Sequence, residues 1–323
     1  VFVIASSESQ AEQLLFCLAR KQSMDGYVLL FIVVTLVATT LLWQYKLHDG
    51  DSCGMVRGST NFRQARPLPV ASYSFDQPIP EEWDWRTQGM PVRITEQFGC
   101  GSCWAFSSVF ALQERLWLAT GGRLNKTLSA QYLVNCEVYC EDINDIRTCD
   151  EGCNGGLLEH SWLFLVDEGT PTAACQPYKN AVRECQPQQC DPGTNEPFVL
   201  YKAQNAYHVT DTAPGTPVEE QVRRIQYEIM TKGPVSVGFD AHEDFKKLRA
   251  KHNGIYRWDG KSTSIGPHAA RLIGWGTDPE DGPYWILANQ FGKRWASDGC
   301  CRYPRGENYM KVESNVVAGD PKI

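Results

Sequence analysis

The chain has 323 residues, 42% of them hydrophobic and 21% charged, with a formal net charge of −7. That balance is ordinary for a folded protein and too apolar for a disordered one. With no arginine-rich run, heptad array or internal repeat, the acidic chain also lacks the clustered basic footprint of a nucleic-acid binder.

In chain order, the first feature is an uncharged apolar run, Tyr27 to Trp43, of 17 residues. A spanning helix needs about 20 such residues and a signal-peptide core about 7–15. Residues 24–45 therefore read as a signal peptide or signal anchor, the chain's one route to a membrane. The chain starts at Val1, and Met24 stands just before the run as an alternative initiator, which sets residues 1–23 apart as an N-terminal tail. Arg20 and Lys21 favour a cytoplasmic N-terminus and a lumenal remainder. Residues 46–77 are polar and carry Arg66-Pro67-Leu68-Pro69, the composition of a linker or a removable short pro-segment. Trp83-Asp84-Trp85-Arg86 opens the dense part of the chain. From Cys103 to Thr120, Phe106, Phe110 and Trp117 recur at helical spacing. Val218, Val222, Ile225 and Ile229 make a second helical stripe, which Gly233-Pro234 ends. Val235, Val237 and Phe239 then alternate as a half-buried strand does. Helices first and strands afterwards predict an α+β protein.

Cysteine is the informative residue. Nine of the 13 lie between positions 100 and 190. An odd cluster in a lumenal chain implies disulfides plus one functional thiol. Cys136-x3-Cys140 and Cys149-x3-Cys153 also suit zinc spacing, but a lumenal address argues against it. Cys100-x-x-Cys103 alone also suits a redox pair, although Trp104 follows the motif here rather than preceding it. Asn125-Lys126-Thr127 is an N-glycosylation sequon.

The chemistry begins at Gln97-Phe98-Gly99-Cys100-Gly101-Ser102-Cys103-Trp104. Cys103 stands at the start of the first long helix, where exposed N–H groups and the helix dipole favour a thiolate. A thiolate that attacks a carbonyl needs an acid for the leaving group and donors for the oxyanion. His268, in Gly266-Pro267-His268-Ala269, and Asn289, after Tyr284-Trp285-Ile286-Leu287-Ala288, are the downstream candidates.

Cys100-Gly101-Ser102-Cys103-Trp104 matches the papain/cathepsin signature, and over residues 78–320 the chain resembles papain-type cysteine proteases of the cathepsin B branch. Cys153-Asn154-Gly155-Gly156, Gly274-Trp275-Gly276 and Glu313-Ser314-Asn315-Val316-Val317-Ala318-Gly319 add to the likeness. His268 lies 165 and Asn289 186 residues beyond Cys103, more than the about 130–150 of the type enzymes. Extra length there is a cathepsin B trait.

The resemblance implies a two-lobed fold in residues 78–323: a helical lobe (mainly 95–195), a β-barrel-like lobe (mainly 196–312) and a cleft between. It implies that Cys103 attacks, His268 is its acid and base, Asn289 orients the imidazole, and Gln97 completes the oxyanion hole with the Cys103 N–H. Gly155 and Gly156 correspond to the wall that binds extended peptide. Asn315 stands where cathepsin B carries a glutamate in the main specificity pocket, so a preference for arginine two residues before the cut should weaken. Excluding Cys103, the eight clustered cysteines allow on the order of a hundred pairings. The resemblance implies Cys100–Cys153, Cys136–Cys185, Cys140–Cys149 and Cys175–Cys190. It further implies peptide or protein substrates, inhibitors of the cystatin type, a monomer, a zymogen, no metal or organic cofactor, and a lysosome- or vacuole-like or extracellular address.

Several residues depart from the family. Only nine residues separate Cys175 from Cys185, with no histidine among them, so the histidine-bearing occluding loop of cathepsin B is missing and endopeptidase action is expected. Gln290-Phe291 replaces the usual Ser-Trp, Pro267 and Ala296 replace glycines, and Cys300-Cys301 replaces aromatics. A weakened or inactive protease-fold binding protein is the competing reading.

Overall fold

The computed structural model describes residues 63–143, 146–211, 213 and 215–323. The apolar run of residues 27–43 lies outside them. Among the described residues no helix is long and apolar enough to cross a membrane.

The helices come mainly from the first half: α1 (Cys103–Ala119), α2 (Ala130–Cys136), α3 (Leu158–Asp167), α4 (Val218–Lys232) and a one-turn α5 (Glu243–Lys246). Ser129 caps α2 by accepting the Tyr132 N–H at 3.2 Å. The strand-rich half is one seven-stranded sheet. Its path runs β5 (Tyr207–His208), β10 (Asn315–Ala318), β6 (Val235–His242), β7 (Ser264–Asp278), β8 (Gly282–Ala288), β9 (Cys300–Pro304), and β2 (Trp83–Asp84) pairs with β7. All of these pairings are antiparallel. The α+β, papain-like architecture expected from the sequence is present.

The long strand β7 organises the sheet. Its first part pairs with β6, Phe239 opposite His268, and its second with β8, Leu272 opposite Leu287. At Pro267 only β6 is beside it, because pairing with β8 starts at Arg271. A proline without an N–H is tolerated where one side of the strand is open.

Helix α1 is buried from Trp104 to Leu116, including Gln113, Glu114 and Arg115. Each of these polar side chains has a partner. Gln113 accepts the Leu128 N–H at 2.9 Å, Glu114 accepts the Arg93 N–H at 3.3 Å, and Arg115 pairs with Glu228 of α4 at 2.8 Å. Arg115 also donates to the carbonyls of Pro234 (2.7 Å) and Gly233 (3.2 Å). Tyr207 and Tyr73 donate their hydroxyls to Glu228 at 2.7 and 3.0 Å. This cluster bolts the far end of α1 to α4, the start of β6 and β5.

A third, small sheet element, β1 (Arg63–Gln64), lies beside a hairpin of β3 (Tyr139–Ile143) and β4 (Ile146–Cys149). Residues 63–77 continue along the domain: Arg66 pairs with Asp167 at 2.8 Å, Val70 bridges His208, and Asp76 accepts from Tyr227.

Four disulfides, Cys100–Cys153, Cys136–Cys185, Cys140–Cys149 and Cys175–Cys190, tie the helical half together. Cys300 and Cys301 are both free and 3% exposed. Successive residues of a strand face opposite ways, so Cys301 packs with the large sheet core and Cys300 with Ile273, Ile286 and Ala288. They are core side chains, not a bonded pair. Ala296 adopts φ 45°, a left-handed conformation that costs a residue with a Cβ about 1–2 kcal/mol.

The buried ion pair gives a stability test. Arg115→Met should destabilise the protein by about 3–5 kcal/mol because it strands Glu228 as a buried charge. Adding Glu228→Leu should restore part of the loss. Denaturant unfolding of both variants checks this, and strictly additive losses would show that the two charges are not coupled.

Candidate active site

Cys103 is the first residue of α1. The preceding Ser102 does not cap the helix through its side chain; its hydroxyl meets the Tyr178 hydroxyl at 2.7 Å. The first-turn N–H groups are thereby left for the nucleophile. The backbone N–H groups of Ala269, Trp104 and Cys103 itself lie near the Cys103 sulfur and favour its thiolate. Amides at a helix N-terminus stabilise an anion there. Ala269 follows His268 on β7, so the start of α1 and the His268 segment of β7 are neighbours. Ser107, one turn further along α1, donates to the Ala270 carbonyl at 2.5 Å and fixes helix against strand at that register.

His268 is 7% exposed. Its Nε2 lies 2.9 Å from the Asn289 Oδ1, which also accepts the Gln290 N–H at 2.9 Å. Phe291 stacks on the imidazole with ring centroids 4.9 Å apart, and Phe239 and Phe245 meet it edge-on. Phe291 thus covers the ring where the family has tryptophan. With Nε2 engaged, Nδ1 is the nitrogen left to exchange a proton with the sulfur.

Gln97 is buried beside them. Its Nε2 donates to the Cys100 carbonyl at 2.9 Å, leaving one amide hydrogen for an oxyanion. Its backbone N–H donates to the Gln290 carbonyl at 2.9 Å, and its carbonyl accepts from Tyr178 at 2.8 Å.

Burial decides the electrostatics. Taken alone, the Cys103 thiol is pushed up by burial, partly offset by the three N–H donors. The His268 imidazole is pushed down to about 4, chiefly by burial and further by the Lys246 charge, while the Asn289 hydrogen bond opposes this. With Cys103 half-buried and His268 buried, either charge alone is costly. Moving the proton from sulfur to Nδ1 creates both at once, and each then offsets the other.

The Gly155–Gly156 segment is fixed from beneath. Cys100–Cys153 joins it to the nucleophile loop, and the Gly101 N–H donates to the Cys153 carbonyl at 2.8 Å. Trp104 donates to the Gly152 carbonyl at 3.1 Å, and Asp150 accepts the Leu157 N–H at 2.7 Å. A Cβ on Gly156 would sit 2.6 Å from the Trp104 ring and 2.9 Å from the Asp150 carboxyl carbon, so only glycine fits. Asn315 starts β10 opposite Gly238 on β6, where a Cβ would meet the Asn315 amide at 2.8 Å. Asn125 is exposed, and its side-chain oxygen accepts from Arg93 at 2.9 Å. Among the described residues no group of three or more histidine, cysteine or acidic side chains is placed to hold a metal ion.

Gln290 stands out. Its side chain is buried, donates to the Ala269 carbonyl at 2.6 Å, and lies 3.3 Å from His268 Nε2. The sequence marks position 290 as unusual, but not that its amide reaches the histidine. A donor beside Nε2 competes with the Asn289 oxygen and opposes a proton on that nitrogen.

Residues 79–319 match the papain family of cysteine proteases. The chain belongs to that family and is a cysteine-type peptidase. Its relatives are cathepsin B-like. It is 33% identical over 307 residues to a cathepsin B-like cysteine proteinase of Schistosoma japonicum, covering 85% of this chain and 84% of that one. It is 34% identical over 269 residues to cathepsin B-like cysteine proteinase 4 of Caenorhabditis elegans, covering 76% of each. It is 32% identical over 262 residues to cathepsin B-like CP3 of Giardia intestinalis, covering 80% of this chain and 79% of that one. Among solved structures it is similar to procathepsin B S9 from Trypanosoma congolense, with a TM-score of 0.65 at 25% identity over 79% of this chain and 83% of that one.

Gln290→Met keeps the side-chain length and deletes the amide. It should raise the rate of Cys103 alkylation by iodoacetamide at pH 6 about threefold or more, one hydrogen bond's worth, because His268 takes the thiol proton more readily. An unchanged rate in folded protein would make the Gln290 amide purely structural.

Proposed function

We propose that this protein is a lumenal or secreted cysteine endopeptidase that hydrolyses peptide bonds through Cys103, His268 and Asn289. The observation that carries this reading is the Cys103 sulfur at a helix N-terminus, within reach of the N–H of Ala269, the residue that follows His268, whose imidazole is bonded to Asn289. Cys103 adds to the scissile carbonyl while the oxyanion meets the Cys103 N–H and the spare Gln97 hydrogen. His268 protonates the departing amine, and water, deprotonated by the same imidazole, releases the acid from the thioester. The stacking of Phe291 on His268 favours an active enzyme over a binding protein, because the substituted ring still screens the imidazole.

Endopeptidase action follows from how residues 176–190 lie. Disulfides at Cys175, Cys185 and Cys190 pin the segment. Gln176 donates to the Gln186 and Gln189 carbonyls, and Asn180 accepts the Cys100 N–H. The segment is folded onto the helical half, which supports a cleft open at both ends. Peptide substrates lie along Gly155 and Gly156, with Asn315 lining the main specificity pocket. A disulfide-rich fold suits an oxidising compartment, consistent with a lysosome- or vacuole-like or extracellular address, and glycosylation at the exposed Asn125 fits the same route. In this reading residues 46–77 are a short pro-segment. Its described part, 63–77, bonds Glu228 through Tyr73 and makes no described hydrogen bond to Cys103, His268, Asn289 or Gln97.

A peptidyl epoxide directed at cysteine proteases should label Cys103 in the processed protein and fail to label Cys103→Ser, with the adduct mapped by peptide mass. No adduct in folded protein would favour the binding-protein reading. In a peptide-library profile, Asn315→Glu should raise the preference for arginine two residues before the cut by about tenfold, the scale of a partly buried ion pair. If wild type already strongly prefers arginine there, Asn315 does not set the pocket.

A further inference from the structure

A cavity of about 560 Å³ is lined in part by Phe291, the ring that stacks on His268. Phe291, stacked on the imidazole, forms one wall with Trp295 and Leu248. Glu96, which bridges Phe291, and Phe98, on the other side of Gln97, also line it. The cavity therefore adjoins the ring stacked on His268 and the two residues that flank Gln97. It shares no lining residue with the glycine wall. A departing amine that takes its proton from His268 leaves past Phe291, so this cavity receives the residues that follow the cleaved bond.

Two independent features give it a chemical character. The first is charge. Lys246, Lys293 and Arg294 line it, all three exposed, and among the described residues none makes an ion pair or hydrogen bond. Glu96 is the one carboxylate in the lining, so three cations face one anion. The patch is positive on a chain whose net charge is −7. Unpaired like charges grouped round a cleft raise the local potential and attract the opposite sign. The second is Phe98. It is 61% exposed and held at φ 55°, in the left-handed region. A large apolar side chain both strained and exposed at a cleft marks a ligand contact.

We propose that this cavity selects an acidic side chain at one of the two positions following the cleaved bond: its carboxylate meets Lys246, Lys293 and Arg294, and its methylenes rest on Phe98 and Phe291. The inference rests on the assignment of Cys103 and His268 as the catalytic pair.

The test uses internally quenched peptides with one fixed acyl side and Glu, Gln or Lys at each of the two following positions. Wild type should cleave the Glu peptide about tenfold or more faster in kcat/KM than the Lys peptide at low salt, the combined effect expected of two or three partly exposed charges. The preference should shrink at high salt, which screens exposed charges. Lys293→Glu with Arg294→Glu should invert it. Lys293→Gln with Arg294→Gln should abolish it without adding repulsion. Epoxide labelling of Cys103 reports that each variant is folded and competent. Peptides cleaved with no preference, with Lys preferred, or with a Glu preference that survives both double variants would overturn the inference and leave the catalytic assignment standing. A wild type that neither cleaves nor labels at Cys103 would sink both.

Discussion

A thiolate and an imidazolium are each expensive where burial limits access to water, and the proposed roles of Cys103 and His268 have the two charges form together. The constraint falls on the register between α1 and β7. The Ser107–Ala270 hydrogen bond sets it one turn below the sulfur, and the Ala269 N–H reads it out at the sulfur itself. At the other end of the helix, Arg115 is locked to Glu228 and to two carbonyls at the start of β6. A helix held at both ends cannot slide, so Cys103 at its start stays in place. The buried ion pair and the proposed nucleophile are thus carried by one helix.

The residues that depart from the family are absorbed in different ways. Phe291 does the covering done elsewhere by tryptophan, and Pro267 sits where the strand has one neighbour only. Cys300 and Cys301 fill two separate cores from opposite faces of β9. Gln290 is different in kind, because it adds a polar group. Its backbone serves Gln97 and Asn289, while its side chain approaches His268, so one residue touches three parts of the site. A substitution of that sort tunes proton affinity without disturbing the frame.

Much of the fold was legible from residue order alone. The helix predicted from Cys103 to Thr120 spans Cys103–Ala119, and the stripe from Val218 ends at Lys232 before Gly233. The alternation from Val235 to Phe239 is β6. These signals are local: periodicity, a glycine–proline stop and a cysteine placed to start a helix. The burial of Gln113, Glu114 and Arg115 was not legible, because a polar triplet on a helix looks the same whether it faces solvent or partners on other segments.

The sequence by itself therefore determined the main elements and the family and singled out the candidate reactive groups, because these depend on residue type and short-range spacing. The tertiary structure decided which cysteines bond, which way Gln290 and the two vicinal thiols point, and which cations gather beside Phe291. Those outcomes depend on strand register and on contacts between distant segments, and no local pattern encodes the direction in which a side chain leaves a packed strand.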